Sequence, residues 1–213
     1  MQSLSTEIAR RPTSDGRAAA IDRILAVAGE EAVRVGPERI RMGEIASRAH
    51  VSRASLYRYF ASKDELIRAW TTRELETIFA KADEAASQSD NFDDRLAIGF
   101  ASALVSLREH PVFRAVVASN NTQIVRSTLE SGEAIDHARE LMMDRFNDAV
   151  HAGRLSVGQF DAAMSGELIA RLAVSLTVAP ETVGRLDSED DVREFARQYI
   201  APLVHGAQET VAN

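Results

Sequence analysis

Cysteine is absent from the 213 residues, which excludes disulfide frameworks, cysteine-ligated zinc, iron–sulfur clusters and thiol nucleophiles. Long apolar runs are absent too. The most apolar stretch, Leu168 to Val178, is short and carries Arg171, so no membrane span is expected. The first residues, MQSLSTEIARRPTSDGR, contain no apolar core of a secretory signal. No G-x-S-x-G, H-E-x-x-H, Walker or dinucleotide fingerprint occurs, and the 5 His residues form no constellation. These absences predict a soluble cytoplasmic protein that is not an enzyme and needs no metal or other cofactor.

What is present is ordinary globular composition, 45% hydrophobic and 27% charged, with enough length to bury a core. The charge is unevenly spread. The whole chain carries 25 basic and 32 acidic residues, a net -7. Residues 39–63 nonetheless hold Arg39, Arg41, Arg48, Arg53, Arg58 and Lys63 against Glu44 alone. A basic patch on an acidic protein concentrates attraction for a polyanion at one place. A solvated basic surface would look the same by charge alone.

Helical spacing runs throughout, with no alternating strand pattern. Residues 1–16 read as a flexible arm. A first helix is predicted from Asp15 or Gly16 to Val35, its stripe Ile21, Ile24, Leu25, Ala28, Ala32 and Val35 facing a core and Gly36-Pro37 ending it. Short helices follow over Met42–Ala49 and, after Ser52 as N-cap, to Tyr59. Ser62-Lys63-Asp64-Glu65 has the form of a capping box that opens a helix to about Ser87. Further helices are predicted over Phe92–Glu109, Val112–Ser119, Thr122–Ser131, Glu133–Ala152, Val157–Ala179 and Val192–Gln208. Pro202 should kink the last.

The block IRMGEIASRAHVSRASLYRYFASKDELI, residues 40–67, carries the functional signal. Two helices this short, joined by a three-residue turn, have the proportions of a helix-turn-helix. Their inner residues would be Ile45, Ala46, Val51, Leu56 and Phe60. Ser52, Arg53, Ser55, Tyr57, Arg58 and Tyr59 then face outward, the residue types a major-groove reader uses.

Read from Glu44 to Leu66, E-I-A-x-x-A-x-V-S-x-x-S-L-Y-x-Y-F-x-S-K-D-E-L resembles the TetR family of bacterial one-component transcription regulators. The likeness is close over residues 17–67 and beyond that lies in length and helical layout. It implies an all-α protein: a helix-turn-helix DNA-binding domain over 17–62, then a ligand-binding and dimerisation domain over 63–213. It further implies a homodimer on a palindromic double-stranded operator, usually repressing, released when a small-molecule effector binds. Carried over by position, Arg53, Ala54 and Ser55 fall where the family reads bases. Tyr57, Tyr59 and Lys63 fall where it touches phosphates, although the two tyrosines beside Phe60 could instead plug the core. Ser52 completes the set. Two departures stand out. Arg41 replaces the family's usual Thr N-cap and could reach DNA, and His50 occupies a turn position where Gly is common.

In the second domain, Ala162, Gly166, Ala170 and Ala173 place small residues along one face of the Val157–Ala179 helix. With Ile169, Leu176 and, on the last helix, Phe195, Tyr199 and Leu203, they form the expected dimer interface; a wholly internal core helix is the alternative. Trp70, Phe100, Leu104, His110, Phe113, Met142, Met143 and Phe146 are the candidate lining of a pocket for a largely apolar effector, though Met and aromatic residues fill ordinary cores as well. His137, Glu140, Asp144 and His151 share a helix face but read as solvated charge rather than a metal site. The competing functional reading is a helical interaction or ligand-binding protein that no longer binds DNA.

Overall fold

A computed structural model describes residues 14–112, 114, 132–156, 161–179, 184 and 186–205. Among these every regular element is helical. The elements are α1 (Ser14–Val35), a 3-10 turn (Pro37–Arg39), α2 (Met42–Arg48), α3 (Arg53–Tyr59), α4 (Lys63–Ala86), α5 (Phe92–Glu109), α6 (Glu133–His151), α7 (Ala162–Val178) and α8 (Glu189–Phe195). A π-helical turn (Ala196–Ile200) and α9 (Ala201–His205) complete the set. The expected helix over 122–131 and nearly all of that over 112–119 lie outside the described residues. The described residues divide into two compact units between Trp70 and Thr71, a break that falls inside α4.

In the first unit α1 supplies the buried stripe Ile24, Leu25, Ala28 and Ala32. It stops at Gly36, whose φ of 84° suits glycine. Helices as short as α2 and α3 are marginal alone and are held by a shared core in which Ile45, Leu56 and Leu66 are fully buried. His50 takes the left-handed turn between them at φ 54°, a conformation His adopts more readily than bulky residues do. Trp70 closes this core. Its indole lies against Gly29 of α1, where an added Cβ would sit 2.8 Å from Nε1. The first two turns of α4 therefore belong to the first unit, which is why the division falls after Trp70 and not before Lys63.

The second unit has its own core, built by Phe100, Leu104, Met142, Phe146, Ile169, Val192 and Ile200 among others. His110 ends α5, since the following Pro111 disfavours helical backbone there. Arg108 uses that end of α5 to donate to the carbonyls of Leu186 (2.8 Å) and Leu176 (3.2 Å). The second of these is an orphan acceptor in the last turn of α7. Burial pushes the Arg108 guanidinium below its ordinary value, with Asp187 opposing that shift.

The final helix does not run straight through Pro202. A proline there offers no N–H and crowds the carbonyl four residues back. The chain widens into the π turn just before it, with the Ala201 amide donating to Ala196 instead.

Helix α7 corrects two expectations. It begins at Ala162, because the Asp161 side chain accepts from the Met164 amide at 2.9 Å and caps it. Its small-residue face turns inward. A Cβ on Gly166 would sit 3.4 Å from the Arg139 carbonyl and the Met142 Cβ of α6, and Ala170 packs with Ile135 and Ala138. Ile169 and Leu176 are likewise buried in their own chain. Gly166, Ile169, Ala170 and Leu176 are thus spent on internal packing, because small residues let two backbones approach within one subunit as readily as between two. Exposed instead are Met164 and Leu168 on α7, and Tyr199 in the π turn.

Candidate nucleic-acid interface

Helix α3 opens at Ser52, whose Oγ accepts from the Ser55 amide at 3.0 Å, leaving the helix's first turn outward. Leu56 and Phe60 fix its inner face, and Val51 is half-buried. Ser52, Arg53, Ala54, Tyr57 and Arg58 are exposed, whereas Ser55 and Tyr59 are half-buried. Tyr57, at 52% exposure, is no core plug. Tyr59 lies between two guanidiniums, Arg17 at 5.7 Å and Arg58 at 5.4 Å from its ring centroid. Arg17 was not legible as a site residue in the sequence; only folding brings the start of α1 beside α3.

The cations of residues 39–63 fall into two groups. Arg48 is committed inward. It pairs with Glu30 and Glu31 of α1, and Glu31, 1% exposed, also accepts from Arg34. Hydrogen bonds from Arg34, then from Arg48, hold the Glu31 carboxyl below its ordinary value against the opposing effect of burial. Arg34 also reaches Glu44 at 2.9 Å, so the single acid of the stretch is occupied from outside it.

Arg39, Arg41 and Arg53 are exposed and have no hydrogen bond or ion pair among the described residues. Arg41 stands at the N-cap of α2 without making a side-chain cap, so its guanidinium is uncommitted. Arg58 donates to Ser55 Oγ at 3.2 Å, and Lys63 Nζ donates to the Glu38 carbonyl at 2.9 Å. Lys63 keeps its charge but is tethered.

The capping signal at Ser62 resolves with a shift. Ser62 Oγ accepts from the Glu65 amide at 3.1 Å, while the Glu65 carboxylate reaches back to the Ala61 amide at 2.7 Å, one residue earlier than the usual reciprocal bond.

The residues proposed for a pocket are not all brought together. Phe100, Leu104, Met142 and Phe146 share the core of the second unit. Met143 is half-buried outside that cluster, and Trp70 is packed in the first unit. His110 Nε2 lies 3.2 Å from Glu74 of α4. Phe113 is outside the described residues. No helix among those described is long and apolar enough to cross a membrane.

A helix-turn-helix that turns a cationic, hydroxyl-bearing helix outward, with every regular element among the described residues helical, is the arrangement of a DNA-binding transcriptional regulator. Residues 24–70 match the family model of bacterial regulatory proteins, tetR family, and the HTH-type transcriptional repressor KstR of Mycolicibacterium smegmatis is 28% identical over 158 residues, 74% of each protein. Residues 24–70 are thus a TetR-type helix-turn-helix segment, and the chain as a whole is similar to TetR-family regulators over most of its length. Its fold is also that of two solved repressors. AlkX from Dietzia sp., implicated in biodegradation of n-alkanes, has a TM-score of 0.62 at 22% identity, covering 87% of this chain and 93% of that one. QsdR from R. erythropolis has a TM-score of 0.62 at 24% identity, covering 92% and 98%.

Proposed function

We propose that the protein is a homodimeric repressor that reads a palindromic operator with α3 and leaves it when a largely apolar small molecule binds the second unit. The observation that carries the DNA-reading part is Arg53. It is an exposed guanidinium in the first turn of α3 that no acid in the described chain neutralises. Such a group is free to hold guanine O6 and N7 together. Ala54 and Ser55 would share the base edges with it, while Ser52, Tyr57, Tyr59, Lys63 and Arg41 would lie along phosphates. Lys63 opens α4, so its ammonium and the helix's first amides can serve one phosphate, once the bond to Glu38 is exchanged.

Dimerisation is supported by apolar surface that one chain leaves uncovered. Met164 and Leu168, one turn apart, are 54% and 40% exposed. Tyr199 is 55% exposed and lies against Phe195 in a tilted ring pair with centroids 5.2 Å apart. A twofold pairing would bury these side chains together with the half-buried Ala162, Leu172, Ala173 and Leu203.

Repression is supported by the named function of KstR, and an apolar effector by the aromatic and methionine content of the second core. The association of AlkX with n-alkane degradation points the same way. Binding that favours one head-to-head spacing over another would carry the two reading helices away from groove positions about 34 Å apart.

The test is fluorescence anisotropy with duplexes selected by the protein from its source genome. Specific binding should weaken steeply with salt. Arg53→Ala should cost about 1–3 kcal/mol on the operator and relax preference at one base pair per half-site. An equal loss on every sequence would remove the base-reading role, and no binding at low salt would favour a protein that has given up DNA.

A further inference from the structure

Glycine at position 43 has no local explanation. It lies in the first turn of α2 with ordinary helical backbone, since positive φ among the glycines is confined to Gly36, Gly132 and Gly153 in the described residues. A glycine in such a place costs about 1 kcal/mol of helix stability relative to alanine, and α2 is only 7 residues long. What the missing side chain makes room for is the guanidinium of Arg53. An added Cβ would lie 2.6 Å from Arg53 Nη2, 3.0 Å from Cζ and 3.2 Å from Nε.

Gly29 offers an instructive contrast. There the space is filled by the buried indole of Trp70, so the gap serves the core. At Gly43 it is filled by the far end of an exposed, flexible side chain, which contributes little to the core and has no hydrogen bond or ion pair to hold it there.

We propose that Gly43 is a specificity-determining position that acts through Arg53: its bare backbone is a cradle in which the guanidinium rests before and during base reading. The proposal builds on the reading of Arg53 as a base contact. The cradle sets the direction from which the guanidinium fork approaches the groove. Bidentate hydrogen bonds tolerate only a few tenths of an ångström in heavy-atom distance, so displacing the fork by a methyl group is enough to misalign it. Because the displaced atoms are the flexible tip of an exposed chain, a methyl at 43 should leave the fold intact. Gly43 is therefore a positioning residue, with no contact of its own to a base required.

The experiment is a double-mutant cycle on the full-length protein with Gly43→Ala, Arg53→Ala and the pair, measured on the selected operator and on duplexes varied at each half-site position. Circular dichroism melting of each variant accompanies it. We expect Gly43→Ala to keep or slightly raise the melting temperature and to leave binding to unrelated duplex at low salt unchanged. Operator affinity should fall about tenfold, with altered preference at the same base pair that Arg53→Ala affects. In the Arg53→Ala background the Gly43 change should have no further effect.

Unchanged base preference in Gly43→Ala overturns the proposal. So does a loss of equal size in the Arg53→Ala background, which is what a folding defect in α2 would give. If Arg53→Ala alone alters no base preference, the reading of Arg53 has failed and the cradle with it. If Arg53→Ala alters preference and Gly43→Ala does not, only the cradle has failed.

Discussion

In the unit ending at Trp70, Arg39, Arg41 and Arg53 are exposed cations with no hydrogen bond or ion pair among the described residues. In the unit from Thr71, the large exposed side chains that stand out are apolar, Met164, Leu168 and Tyr199. The cations of the second unit are largely committed instead. Arg145 makes a two-pronged pair with Asp83 and lies 4.7 Å from the Phe79 ring centroid; Arg193 and Arg197 pair with neighbouring acids. An uncommitted cation has its most favourable encounter with a polyanion, and an uncovered apolar face with another apolar face. Unlike surface chemistry is thus what supports the proposal that one unit meets DNA and the other a second copy of the chain.

The sharpest way to break that division is to remove the apolar surface while leaving the head alone. Leu168→Glu with Tyr199→Asp should convert the dimer to a folded monomer in sedimentation. Operator affinity should fall by at least about a hundredfold, because two half-sites are no longer held on one molecule. A dimer that survives both charges would show that the interface lies elsewhere.

The head was largely legible in the sequence because each device there is local. Ser52 caps α3 two residues after His50, and Leu56 and Phe60 recur four apart, the spacing of one helix face. Even the strained turn at His50 is visible as a residue standing where glycine is common. The direction in which the small residues of α7 face was not legible, since Gly166 and Ala170 read equally well as a seam between subunits or within one. What turns them inward is the approach of α6 to 3.4 Å from the Cβ position of Gly166, a contact with Arg139 and Met142 that lie far from it in the chain. Trp70 misled for the same reason. An aromatic on a connecting helix carries no sign of which core it enters, and Gly29 of α1 supplied the answer.

A smaller effect tests the inward half of the head's charge. Glu31 is held below its ordinary pKa by Arg34 and then Arg48. A lowered folded-state value means its contribution is present above the ordinary carboxyl pKa of 4.5 and is lost as pH falls through the folded-state value. Glu31→Gln should lower head stability by about 1–3 kcal/mol at neutral pH, read from urea unfolding. The gap between wild type and variant should close as the pH drops below about 4.5. A gap that widens on acidification would reverse the assigned sign and detach Glu31 from the pairing of α1 with α2.

The mildest change separates attraction from reading within the cationic surface itself. Arg41 stands at the N-cap of α2 with a free guanidinium but no cap bond to lose, so Arg41→Ala should leave the melting temperature unchanged. If the side chain meets a phosphate, affinity should drop severalfold on every duplex alike, and the slope of log K against log salt should become shallower by about 0.9, the release of one phosphate's counterions. Base preference should stay as it was, in contrast to Arg53→Ala. A changed preference with an unchanged slope would move Arg41 from the backbone to a base edge and extend the reading surface from α3 onto the start of α2. An unchanged slope with unchanged preference would make it an ordinary exposed arginine, leaving the salt dependence to Arg39, Arg53 and the tethered Lys63.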